Sequence, residues 1–241
     1  MIIVAGGDSF VYGSELSDLK STFACLLSSD NEYVCMAQPG FSNQGICRTI
    51  LEEIQNRTNK KLGVIVSWTY PSRYEFNFSF NEKLNWQSIN PWLVDEIYPN
   101  ELKHINLIEK QRQDFQYHDF TKSWYKHVGS PEYWETYTSL KEIVQLQNYL
   151  ELYNIPYMFT CADTEWKNTE TYYSNDKTIR SLRTQLDFSK WFFFPGHKGF
   201  YQWAVDNKYP IGDTHPLEAA HRDAAELMKD KFYELVTKHL E

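Results

Sequence analysis

The chain has 241 residues, with 24 lysines and arginines against 32 aspartates and glutamates and a formal net charge of −8. That acidic balance excludes a nucleic-acid backbone as partner, because phosphates need a basic face. The length suits a single α/β domain with one insertion, and no apolar run approaches the ~20 residues that cross a bilayer, so no membrane partner is expected.

Met1 runs directly into an apolar strand, Met1-Ile2-Ile3-Val4-Ala5. This leaves no room for a charged leader and cleavage site, and a cytoplasmic location is expected. The strand ends in Gly6-Gly7-Asp8-Ser9. Glycine tolerates positive φ, so a tight turn there delivers the Ser9 hydroxyl to the carboxyl edge of a sheet, where open α/β sheets bind ligands. The pattern then alternates between a helix over 16–28, a strand over 33–37, a helix over 44–55 and a strand over 62–68. That βαβαβ order predicts a parallel sheet. Ser9, Gly40 and Thr69 each follow a strand, so one sheet edge gathers all three.

Residues 76–131 show no strong period and form an aromatic-rich insertion, with Phe115, Tyr117, Phe120, Trp124 and Tyr125 close together. Such a cluster packs a lid onto the sheet, or offers a platform to a sugar ring or acyl group. An amphipathic helix over 132–154 turns Leu140, Ile143, Val144, Leu146, Leu150 and Leu152 inward. Pro156 ends it and opens a strand over 157–160. Trp191-Phe192-Phe193-Phe194 forms a further strand, and a final helix runs from about Leu217 to Lys238. Cys25, Cys35, Cys47 and Cys161 lack a Cys-x-x-Cys pair and are expected as small buried hydrophobes. No two histidines have i,i+4 zinc spacing with a carboxylate partner. Neither a metal nor a cofactor is expected.

A serine hydroxyl is a poor nucleophile until a histidine takes its proton and an acid orients that histidine. Ser9, Asp213 and His215 supply those three types, His215 standing in Gly212-Asp213-Thr214-His215-Pro216. The tail motif alone describes an ordinary helix cap and a loop histidine. Paired with Gly-Asp-Ser at the other end of the chain, it points to a catalytic triad.

The two end motifs, joined by Gln38-Pro39-Gly40-Phe41-Ser42-Asn43, resemble the SGNH (GDSL-type) hydrolase family. The resemblance implies a three-layer α/β/α sandwich, flavodoxin-like, on a parallel four- or five-stranded sheet. It implies Ser9 as nucleophile, His215 as base and Asp213 as its orienting acid, in a compressed Asp-x-His spacing. The oxyanion would be held by the Ser9 and Gly40 N–H groups, with Asn43 as a side-chain donor. The family's Gly-x-Asn after the third strand is absent, since the chain reads Ser67-Trp68-Thr69-Tyr70-Pro71-Ser72-Arg73. Asn43, Thr69 or Arg73 would substitute for it, and Asp8, Thr69 and Arg73 are expected to bind substrate. The implied substrate is a small-molecule or carbohydrate ester, with an O-acetyl sugar favoured. Two alternatives share the fold: an O-acyltransferase using the same triad, and a non-catalytic binding or assembly protein.

Overall fold

Strand β1 (Ile2–Gly6) is buried along its whole length, and its side chains alternate between two separate cores. Ile3 and Ala5 join Phe23, Met158, Phe200 and Met228, whereas Ile2 and Val4 join Ile46, Ile50, Leu146 and Phe159. A strand apolar on both faces must be covered by helices on both, which is the condition of a central parallel strand. This computed structural model describes residues 1–29, 31–80, 83–91, 109–128, 132–163, 173 and 175–239.

β1 pairs in parallel with β2 (Glu32–Cys35) and β3 (Leu62–Trp68), and β3 pairs with the later strand Tyr157–Cys161. Helices α1 (Ser9–Tyr12), α2 (Phe23–Ser28) and α3 (Asn43–Asn56) intervene. The insertion holds an antiparallel hairpin of β4 (Tyr74–Phe80) and β5 (Lys83–Ile89), then α4 (Glu109–His127). After α5 (Glu132–Leu152) comes β6 (Tyr157–Cys161), then α6 (Lys177–Arg183), α7 (Phe200–Asp206) and α8 (Glu218–Leu235). Among the described residues the main sheet has four strands in the order β2-β1-β3-β6. Residues from α2, α7 and α8 cover one face, and residues from α3 and α5 cover the other. The result is the three-layer α/β/α sandwich.

Several local features depart from the sequence expectation. The helix expected over 16–28 is a 3-10 turn at Leu19–Ser21 followed by α2, because extended Thr22 caps α2 and accepts from the Cys25 N–H. The strand expected at Trp191 is reduced to one parallel bridge with Phe159, closed by Phe192 N–H to the Phe159 carbonyl at 2.7 Å. Leu152 ends α5 and is 73% exposed, not buried. Cys47 and Cys161 are buried, but Cys35 lies exposed on edge strand β2. The hairpin was not expected at all. Its Phe76 and Phe78 rings meet Phe120 at 4.8 and 5.3 Å, and Arg48 of α3 grips Glu75 through two 2.8 Å hydrogen bonds. The Phe115 side chain and residues 92–108 and 129–131 of the expected insertion lie outside the described residues.

His221 on α8 joins three segments. Its Nδ1 accepts the Phe23 N–H at 3.2 Å, its ring stacks on Phe23 and lies 4.7 Å from Phe200, and it bonds the Pro216 carbonyl. Burial pushes its pKa down from 6.5 to about 4. The unfolded chain therefore binds the proton more readily. The His221 contribution to stability is expected to fall as pH drops from 6.5 towards about 4 and to level below that, a loss on the order of 3 kcal/mol. Urea midpoints measured from pH 7 to 4 should show this limb in the wild type and lose it in His221→Gln.

Candidate active site

Ser9 opens a single helical turn directly beyond β1, with extended Asp8 as its N-cap and Gly13 closing it at φ 91°. Gly6 and Gly7 are required by crowding, not by positive φ. A Cβ on Gly6 would lie 2.8 Å from Ile50, and one on Gly7 would lie 2.5 Å from Val11. The two glycines thus let the chain fold back tightly enough to place Ser9 at the sheet edge. Ser9 is 7% exposed.

Gln38-Pro39-Gly40-Phe41 follows β2 as a β-turn, closed by Phe41 N–H to the Gln38 carbonyl at 3.2 Å. Pro39 precedes Gly40 at φ 79°, the residue order of a type II turn. Glycine is needed there for the backbone, since no atom would lie within 4 Å of a Cβ. Ser42 is the N-cap of α3 and accepts the Gly45 N–H.

His215 sits on a tight hairpin in which Gly212 N–H donates to the His215 carbonyl and Ile211 bridges Pro216. That geometry puts Asp213 and Thr214 at the tip. Asp213 is exposed, and among the described residues it makes no hydrogen bond to His215. The carboxylate on the histidine belongs to Glu15 instead. His215 Nδ1 lies 2.6 Å from Glu15 Oε1, and the same carboxylate accepts from the Thr214 hydroxyl at 2.9 Å and from the Thr214 N–H. Glu15 reaches this position from a φ of 69°, and its loop is tied to α8 by Ser17 N–H and Oγ donating to Glu218. Burial pushes the Glu15 carboxyl up, but its bonds with His215 and Thr214 outweigh that and hold its pKa at about 2. A carboxylate at Nδ1 leaves Nε2 as the unprotonated nitrogen of the neutral ring. The ring packs 5.1 Å from Phe10, the neighbour of Ser9. Among the described residues no hydrogen bond joins Ser9 Oγ to His215.

The residues expected to bind substrate bond one another. Asp8 and Arg73 form an ion pair at 3.0 Å with side chains 0% and 8% exposed. Thr69 Oγ1 donates to the same Asp8 oxygen at 2.6 Å, and the other Asp8 oxygen caps Phe10 N–H. Arg73 also reaches Thr69 Oγ1 and the Phe41 carbonyl. Asn43 likewise is occupied. Its amide donates to the Thr69 carbonyl and to Ser139 Oγ, while its oxygen accepts the Thr69 N–H. With both amide hydrogens used, Asn43 braces the loop after β3 and has none left for an oxyanion. Beside this network Arg73 lies 4.8 Å over the Tyr70 ring.

No family model matches the chain, and no curated protein matches it. Among solved structures it is similar to the psychrotrophic esterase EstA from Pseudoalteromonas sp., at 12% identity and TM-score 0.47 over 99% of this chain and 98% of that one. It is also similar to a lipolytic G-D-S-L family protein from Veillonella parvula, at 13% identity and TM-score 0.44 over 98% of this chain and 100% of that one. A third is the acetyl xylan esterase Est2A from Butyrivibrio proteoclasticus, at 11% identity and TM-score 0.47 over 97% of this chain and 63% of that one. The chemistry of the present site rests on its own residues.

Removing one partner from a buried ion pair strands the other charge, at about 3–5 kcal/mol. Arg73→Met alone should lower unfolding free energy by that amount in urea denaturation. The neutral pair Asp8→Asn/Arg73→Met should recover more than half of the loss.

Proposed function

We propose that the chain is a serine esterase of the SGNH (GDSL-type) kind, folded as one domain, acting on a small-molecule or carbohydrate ester. The observation that carries this reading is the 2.6 Å contact between the Glu15 carboxylate and His215 Nδ1, one ring away from the turn that presents Ser9. A histidine oriented at Nδ1 with a free Nε2 is what an activated serine requires. In this reading Ser9 Oγ attacks the ester carbonyl while His215 Nε2 takes its proton. The proton then passes to the departing alkoxide, and water repeats the sequence on the acyl-serine.

Glu15 takes the orienting role that the sequence pattern assigned to Asp213. The oxyanion would rest on backbone donors alone, the N–H groups of Ser9 and Gly40.

A fluorophosphonate should label Ser9 in the wild type and leave Ser9→Ala unlabelled. Hydrolysis of p-nitrophenyl acetate gives the second measurement. Glu15→Gln should lower kcat/KM by about 10⁴, as loss of the orienting acid does in a serine triad, while Asp213→Asn should stay near wild type. The reverse ranking would return the acid role to Asp213, and an unlabelled wild type would overturn the esterase reading.

A further inference from the structure

One guanidinium holds together the three loops at the carboxyl edge of the sheet. Arg73 Nη1 donates to Asp8 Oδ2 at 3.0 Å, to Thr69 Oγ1 at 2.9 Å and to the Phe41 carbonyl at 3.2 Å. These acceptors stand beside Ser9, just beyond the end of β3, and one residue past Gly40. Neutralising Asp8 needs only a cation. The bond to the Phe41 carbonyl is surplus to that task, and it fixes where the Gln38–Phe41 turn sits. Within itself the turn has one closing hydrogen bond, at 3.2 Å, and no atom would touch a Cβ on Gly40. Phe41 restrains it through a side chain packed in the core and a carbonyl held by Arg73, and beyond the turn Ser42 N–H donates to Ser88 Oγ at 3.0 Å.

We infer that Arg73 is a positioning residue, clamping the turn that presents Gly40 against the turn that presents Ser9. It thereby fills the structural place of the absent Gly-x-Asn asparagine. The clamp stands on the geometry, and its catalytic consequence rests on the esterase reading. A lysine would keep the charge, but its side chain is one bond shorter, so its ammonium falls short of the place from which Nη1 meets all three acceptors. The neutral pair Asp8→Asn/Arg73→Met removes the clamp without leaving a buried charge.

The test measures amide hydrogen exchange across residues 38–42 in the wild type, Arg73→Lys and Asp8→Asn/Arg73→Met, alongside the rate of fluorophosphonate labelling. Losing a charge-assisted hydrogen bond should raise Phe41 amide exchange about tenfold or more, with β1 and β3 amides still protected. Labelling of Ser9 should slow about tenfold in the same variants. Unchanged exchange at Phe41 overturns the inference, and so does a rise spread evenly over the sheet, which is global destabilisation. If the wild type fails to label while Phe41 exchange still rises locally, the esterase reading falls and the clamp stands.

Discussion

The buried ion pair between Asp8 and Arg73 is the constraint from which the site's geometry follows. Burying two charges costs more than their attraction returns unless the remaining donors and acceptors are satisfied. Here Asp8 receives Arg73, the Thr69 hydroxyl and the Phe10 N–H. Each of those bonds comes from a different piece of the edge, so satisfying one carboxylate sets the Ser9 turn, the end of β3 and the loop carrying Arg73 together. Asn43 extends the same constraint to α3, and Ser139 extends it to α5. Such a network is stiff because any partial opening strands a charge or an amide.

The two-sided core explains why this edge is available. Alternate residues of β1 feed opposite layers, so helices cover both faces and only the strand ends remain open. At the amino ends, a cleft of ≈ 950 Å³ opens among Lys60, Lys61, Leu62, Tyr149 and Tyr157. It is roomy, but its described lining holds no serine, and among the described residues no carboxylate bonds the ring of its histidine, His239. At the carboxyl ends the strands release Asp8, Ser9 and Thr69 side by side, the position where open α/β sheets bind ligands. Chemistry, not volume, separates the two ends.

The central strands were legible because their apolar runs are short, continuous and bounded by turn residues. The Ser9 turn was legible as well, although the reason for its glycines was packing and not positive φ. Hairpin β4–β5 carried a readable signal, since Tyr74, Phe76, Phe78 and Phe80 alternate with Glu75, Asn77 and Ser79. That period of two is the signal of a strand with one buried face. Glu15 could not be read. Its contact with His215 spans 200 positions and depends on a positive φ that no spacing rule announces for glutamate. Asp213 misled for the complementary reason: two residues before a histidine, on a tight hairpin, is the tip. Asn43 misled by proximity to Gly40, because its partners on Thr69 and Ser139 come from distant elements.

In the esterase reading, the buried Arg73 network decides where catalytic stabilisation comes from. A side-chain oxyanion donor is worth about 3–4 kcal/mol, and with Asn43, Thr69 and Arg73 engaged elsewhere, the esterase reading leaves the Ser9 and Gly40 N–H groups to act alone. Backbone donors help only if their turns do not move, which makes the rigidity of the Asp8–Arg73 network part of the catalytic argument. In that reading the remaining stabilisation comes from contacts with non-reacting parts of the substrate. The insertion is anchored near this network, since Tyr125 donates to the Ser72 carbonyl at 2.6 Å and Glu75 joins it to α3 through Arg48. Both anchors lie within two residues of Arg73. The loop that carries Arg73 therefore ties the Ser9 and Gly40 turns to the insertion.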